Sequence, residues 1–158
     1  MDHSRTAGSR DVVRLMPDDL QFARPVRLNA RFPHVNLLVI GPGDAVDELL
    51  AVVRSERLAA SGDGGLVTVW HPGKPFVLPS PTATGLMILR DVDTLVHGDQ
   101  HKLVDWLVEA AGRVQVVSTA SASLMPLVDA GVFMQTLYYR LNTIYMDLTE
   151  RRAHPYEW

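Results

Sequence analysis

The sequence predicts a parallel α/β domain with helices on both faces of the sheet, and three observations carry that expectation. Five short runs are apolar on both faces, amphipathic helical patterns separate most of them, and the 158 residues with 47% hydrophobic content suffice to bury a core without cross-links. Cysteine is absent, which excludes disulfide scaffolds, thiolate metal sites and cysteine nucleophiles.

In chain order, residues 1–10 are small, polar and charged, as frayed termini are. DVVRLMPDDL offers a short amphipathic piece, and ARPVRLNARFPH follows neither the helical nor the strand period. From Val35 the chain becomes organised. VNLLVI, LVTVW, LMILR, VQVVSTA and TIYMDL are the five strand-like runs. Helical patterns cover 45–57 after the first, 100–111 after the third, and 123–128 with 134–142 after the fourth. The second connection, HPGKPFVLPSPTATG, carries four prolines and cannot be a regular helix. We therefore expect an extension over 1–33, one αβα domain over 34–150 and a tail over 151–158.

Charge and composition narrow the function classes. The net charge is −3 and the pI near 6.0, so no basic excess is available for nucleic acid. No stretch approaches the roughly 18 to 20 apolar residues of a membrane span, and the N-terminus lacks a secretion-signal pattern. A cytoplasmic protein without membrane or nucleic-acid partners is the expectation.

The first strand runs into Gly41, Pro42, Gly43 and Asp44, where a nucleotide-binding protein would wrap phosphates with loop N–H groups. Such a loop requires G-x-x-x-x-G-K-[ST]. Counted from Gly41, Val46 stands at the second glycine, Asp47 at the lysine and Glu48 at the magnesium-binding hydroxyl. Two unit charges about 4 Å apart near a surface interact by roughly 4 kcal/mol. Three carboxylates, Asp44, Asp47 and Glu48, would thus oppose most of a micromolar affinity worth about 8 kcal/mol. The alternative reading is an ordinary strand-to-helix turn with Asp44 as its N-cap.

Beyond Gly85, the segments GLMILRDVDTL, QHKLVDWL, RVQVVSTASASLMPLVDAGVF and LYYRLNTIYMDL occur in an order and spacing that resembles the sigma-54-dependent enhancer-binding activators, a branch of the AAA+ ATPases. LYYRLN, residues 137–142, is the most specific of these elements, and the resemblance spans roughly 35–148. It implies a three-layer αβα sandwich around a five-stranded parallel sheet of P-loop NTPase type. It also implies positions for functional groups. The magnesium carboxylate position is Arg90, followed by Asp91, and the γ-phosphate sensor positions are Ala120 and Ser121. Of two arginine-finger positions, one is Met134 and the other is retained as Arg140, which could equally cap a helix C-terminus. Against that pattern, the proline-rich stretch stands where the family's sigma-contacting loop would be, and a domain without the family's helical lid and helix-turn-helix is the expectation.

In the family fold the lysine and aspartate positions lie together. Here they carry inverted charges, so we expect Asp47 and Arg90 to form a side-chain bridge; two unconnected surface charges is the alternative. No catalytic residue, cofactor or metal is expected. His97 and His101 sit four apart without a third ligand nearby, Asp91 and Asp93 read as helix-start acids, and Ser118, Ser121 and Ser123 lack an activating histidine. Trp70, Phe76, Trp106 and the pair Tyr138 and Tyr139 are expected in core or crevice packing. The implied function is a non-catalytic regulatory or interaction module with an unidentified protein partner, a homo-oligomer remaining open. The alternative is an ATP-binding protein or ATPase with an atypical loop.

Overall fold

The computed structural model describes residues 13–15, 35–60 and 65–149. Expectations for residues 1–12, 16–34 and 151–158 lie outside them. The elements in chain order are β1 (Val13–Leu15), β2 (Leu37–Ile40), α1 (Gly43–Ala60), β3 (Leu66–Trp70), β4 (Gly85–Leu89), a 3₁₀ turn (Val92–Thr94), α2 (His97–Ala110), β5 (Val114–Ala120), α3 (Met125–Asp129), α4 (Gln135–Leu141) and β6 (Ile144–Asp147).

All strands pair in parallel, in the order β1-β6-β2-β5-β4-β3. The five expected strands form the sheet, and β1, inside the 1–33 segment, adds a sixth beside β6. Every residue of β2, β4 and β5 is buried, as their two-faced apolar runs require of strands covered on both sides.

Two hydrophobic clusters flank the sheet. On one face α1 contributes Ala45, Val46, Leu49, Leu50 and Val53, a helical stripe set against Leu37, Val39, Ile88 and Val117. On the other, Leu103 and Trp106 of α2 and Leu137 and Leu141 of α4 meet Leu38, Met87 and Val116. The connection from β2 moves toward one edge of the sheet with its helix on the first face. The connections to β5 and β6 move the opposite way with theirs on the second, so all three have the same hand.

Two glycines are demanded by close approach. A Cβ on Gly85, whose φ is +149°, would sit 2.0 Å from the Leu66 carbonyl oxygen. One on Gly41 would lie 2.8 Å from the Leu148 Cβ. The proline-rich connection from His71 to Thr84 is irregular, as expected, and is fastened to the fold. Trp70 Nε1 donates to the Lys74 carbonyl at 3.1 Å, Trp106 Nε1 to that of Pro79 at 2.7 Å, and Arg113 Nη1 to that of Pro81 at 3.1 Å. Phe76 meets Trp70 edge-on with ring centroids 5.6 Å apart, so these aromatics have the packing role expected of them. Among the described residues no helix is long and apolar enough to cross a membrane.

Candidate functional site

In open parallel sheets, ligands bind at the carboxyl ends of the strands where the strand order reverses. In this sheet that point lies at the end of β2, between β5 and β6. The connection there is short. β2 ends at Ile40 and α1 begins at Gly43, leaving only Gly41 and Pro42 between them.

Both sides of the turn are fastened to the sheet. Gly41 N–H donates to the Ala120 carbonyl at 3.1 Å, and Leu148 N–H donates to the Ile40 carbonyl at 2.7 Å. Pro42 has no N–H, and its carbonyl accepts the first helical bond from Val46 N–H at 3.0 Å. Gly43, Asp44, Asp47 and Glu48 therefore all lie on the helix. Asp44 falls in the first turn and not at the N-cap, which is Pro42; its charge still complements the helix dipole from there.

Arg90 Nη2 donates to Asp47 Oδ1, joining the second turn of α1 to the end of β4. The expected bridge is present, through one nitrogen and one oxygen and not as a two-pronged fork. The Asp47 side chain is 60% exposed and that of Arg90 27%, so solvent screens the pair. Arg90 N–H bonds to the Trp70 carbonyl at 3.1 Å, which fixes its backbone to the neighbouring strand.

Beside this bridge lies a hollow of about 540 Å³. Leu50, Val69 and Ile88 form its apolar lining, and Asp47, Arg54, His71 and Arg90 supply the polar groups. Arg54 and His71 were invisible as site residues because neither belongs to a motif. They meet only through the fold.

Asp91 adopts the left-handed conformation, φ 49° and ψ 55°, at the start of the 3₁₀ turn. Its N–H donates to Thr119 Oγ1 at 3.1 Å, and its carbonyl accepts from Thr94 Oγ1 at 2.7 Å. Such a conformation costs a non-glycine residue about 1–2 kcal/mol, which these bonds offset. Thr119, one position before the sensor-like Ala120 and Ser121, is thus the β5 residue that grips the β4 end. Ala120 contributes its carbonyl to Gly41, and Ser121 is exposed.

Gln100, the glutamine of QHKLVDWL, is buried with its amide fully engaged. Nε2 donates to the carbonyls of Leu95 at 2.9 Å and Val132 at 3.0 Å, and Oε1 accepts from Met134 N–H at 2.8 Å. It ties the start of α2 to the loop entering α4. Its signal in sequence was a polar residue on the apolar stripe it shares with Leu103, Trp106 and Ala110.

Arg140 stands elsewhere. It occupies the exposed last turn of α4, beside Asn36 and Thr143, which precede β2 and β6, and so lies at the amino ends of the strands. The Asn36 side chain donates to the Arg140 carbonyl at 3.0 Å and accepts from Val116 N–H at 3.0 Å, anchoring that edge. The Arg140 charge lies where a helix C-terminus favours a cation. His97 and His101 are exposed with ring centroids 4.9 Å apart, and no group of three metal-ligating side chains occurs among the described residues.

Residues 74–150 match the family described as Sigma-54 interaction domain. No curated protein sequence matches the chain. NtrX from Brucella abortus, solved in complex with ATP, superposes with a TM-score of 0.61 at 16% identity, covering 88% of this chain and 38% of that one. The P-loop NTPase domain of a sigma-54 transport activator from E. coli superposes with a TM-score of 0.55 at 14% identity, covering 78% of this chain and 90% of that one. The shared feature is the αβα sandwich with its parallel sheet of P-loop NTPase type. The chain spans 38% of the length of NtrX.

Proposed function

We propose that this domain, whose residues 74–150 match the Sigma-54 interaction domain family, is a non-catalytic AAA+-like regulatory or adaptor module, working by protein contact without ATP turnover. The observation that carries this reading is the bridge from Arg90 to Asp47. A triphosphate needs cations and free loop amides at the end of β2. Here the lysine position holds a carboxylate that is already matched to a guanidinium.

The turn supports the same reading. With two residues between strand and helix, one of them proline and the other bonded to Ala120, little backbone is left to wrap a phosphate chain. Asp44 and Glu48 add further negative charge against a polyanion on the first two turns of α1. Contact surfaces for a protein partner are available on the pinned proline-rich connection, where Val77 is exposed, and on α4, where Tyr139 is exposed. A cytoplasmic setting in transcription control or signalling follows by analogy with the family.

A second reading comes from NtrX, a protein of the same fold that was solved with ATP. On that reading the chain binds nucleotide through an atypical loop. Titration with Mg-ATP, followed by thermal unfolding and calorimetry, separates the two. Nucleotide at about 100 times its Kd would stabilise the fold by about 2.7 kcal/mol, a rise of roughly 5 °C or more in Tm. We expect no such rise and no binding heat at micromolar concentrations. Micromolar binding at the Gly41 turn would overturn the proposal and establish the second reading.

A further inference from the structure

β3 closes one side of the sheet, and among the described residues only β4 pairs with it. Trp70 turns its carbonyl toward β4, where it accepts from Arg90 N–H. Since successive residues of a strand point their N–H and C=O groups to opposite sides, Leu66, Thr68 and Trp70 face β4. Val67 and Val69 then present two donors and two acceptors to the open edge.

Exposed edges of this kind are normally blunted by lysine, proline, inward charges or a bulge. LVTVW contains no charged residue and no proline, and Leu66 is 51% exposed. The run is also symmetric about its centre, with a valine on either side of Thr68.

We infer that this edge is a homodimer interface, in which β3 of one chain pairs antiparallel with β3 of a second copy about a two-fold axis at Thr68. The register follows from the geometry. Val67 of each chain lies opposite Val69 of the other as a hydrogen-bonded pair, so the four outward groups on each side are all satisfied by four N–H···O=C bonds. Both valines project on the α1 side, giving β-branched cross-strand pairs on that face. Leu66 comes opposite Trp70 of the second copy, covering the exposed leucine. Thr68 meets its own symmetry mate as a non-hydrogen-bonded pair, on the α2 side, with no charge to oppose it. A second copy suits the edge for a stated reason: it offers the same unprotected row in a register that satisfies every outward group. Val69 also lines the hollow beside the Asp47 bridge, but the pairing uses neither the Gly41 turn nor the bridge itself, so dimerisation and nucleotide binding are tested by separate measurements.

The absence of cysteine makes the test sharp. In a non-hydrogen-bonded antiparallel pair the Cα atoms are about 4.5 Å apart, within the span a disulfide bridges. Thr68→Cys is therefore expected to oxidise rapidly and nearly completely to a disulfide-linked dimer. Val77→Cys, at a 69% exposed site away from the axis, should cross-link many-fold more slowly. In sedimentation equilibrium the wild-type chain should rise reversibly with concentration from 17.5 kDa toward twice that mass. Thr68→Lys, which sets two ammonium groups against each other at the axis, should remain monomeric with an unchanged circular dichroism spectrum. A wild-type chain that stays monomeric at every concentration overturns the inference. So does a Thr68→Cys chain that cross-links no faster than Val77→Cys, or a Thr68→Lys chain that dimerises as the wild type does.

Discussion

The guanidinium of Arg90 holds the carboxylate of Asp47 across 43 residues of sequence, so that the end of β4 is bridged by side chains to the second turn of α1. Both groups are solvent-accessible, and exposed pairs contribute about 0–1 kcal/mol. Asp47→Ala and Arg90→Ala should each lower stability by less than about 1 kcal/mol in urea unfolding. Asp47→Arg and Arg90→Asp singly place like charges together and should cost more, whereas the two combined restore a pair with its charges exchanged. We expect a coupling of about 0.5–1 kcal/mol in that double-mutant cycle. Strict additivity would mean that the contact carries no energy.

Gln100 is the polar residue whose loss should be felt most. Gln100→Leu keeps approximate volume and helix propensity but strands the carbonyls of Leu95 and Val132 and the N–H of Met134. A buried backbone group left without a partner costs about 1–3 kcal/mol, and partial rearrangement will satisfy some of the three. Chemical unfolding should register a loss of about 2–4 kcal/mol. Hydrogen exchange should quicken first at Met134, whose amide loses its acceptor.

Much of this architecture was legible because its signals are repetitive. β3 and β5 span the residues that their apolar runs marked out, and Ala45, Leu49 and Val53 of α1 lie on the buried side that helical spacing assigns them. The Asp47 bridge was legible for a different reason: a motif with fixed spacing placed an acid and a base at two positions that the fold brings together. What stayed hidden has no period. Gln100 and Thr119 act on backbone groups, and any polar residue facing inward could do so. The strand of Val13–Leu15 is three residues long, too short for alternation to appear, and exists through its pairing with β6. Asp44 was weighed as a cap because caps favour aspartate, yet the helix starts earlier, where Pro42 fits by lacking the N–H that a helix start cannot satisfy.

Ala111 terminates α2 in the left-handed conformation, φ 49° and ψ 38°, with its N–H on the Leu107 carbonyl at 3.3 Å. Glycine is the residue that ordinarily occupies this place, since a Cβ there crowds the backbone. The side chain of Ala111 is exposed, so its removal forfeits little packing. Ala111→Gly should therefore raise stability by about 0.5–1 kcal/mol, partly offset by the greater freedom of glycine in the unfolded chain. Thermal unfolding of the two proteins side by side checks this, and a lower Tm for the glycine variant would contradict the strain assigned to this cap.

Tyr138 supplies a dependence on alkaline pH. Burial of its ring against the α2 side of the sheet pushes the phenol above its ordinary value of 10.0; the polar Asn142 side chain nearby pulls it partly back, and the neighbouring Tyr139 adds to the rise. As pH climbs past 10.0, the unfolded chain gives up the Tyr138 proton while the folded chain still holds it. The folded state then binds more protons than the unfolded state, and stability must fall with further rise in pH. The contribution of the neutral phenol is complete below that value and is lost as pH passes through the folded pKa. Tyr138→Phe removes the titrating group and keeps the ring. The stability difference between wild type and Tyr138→Phe should be constant from neutral pH to about 9 and move in favour of the phenylalanine variant above about 10. Paired urea titrations at several pH values cancel the lysine and arginine titrations common to both proteins. A difference that stays flat to pH 11 would show that the Tyr138 hydroxyl ionises as freely in the folded chain as in the unfolded one.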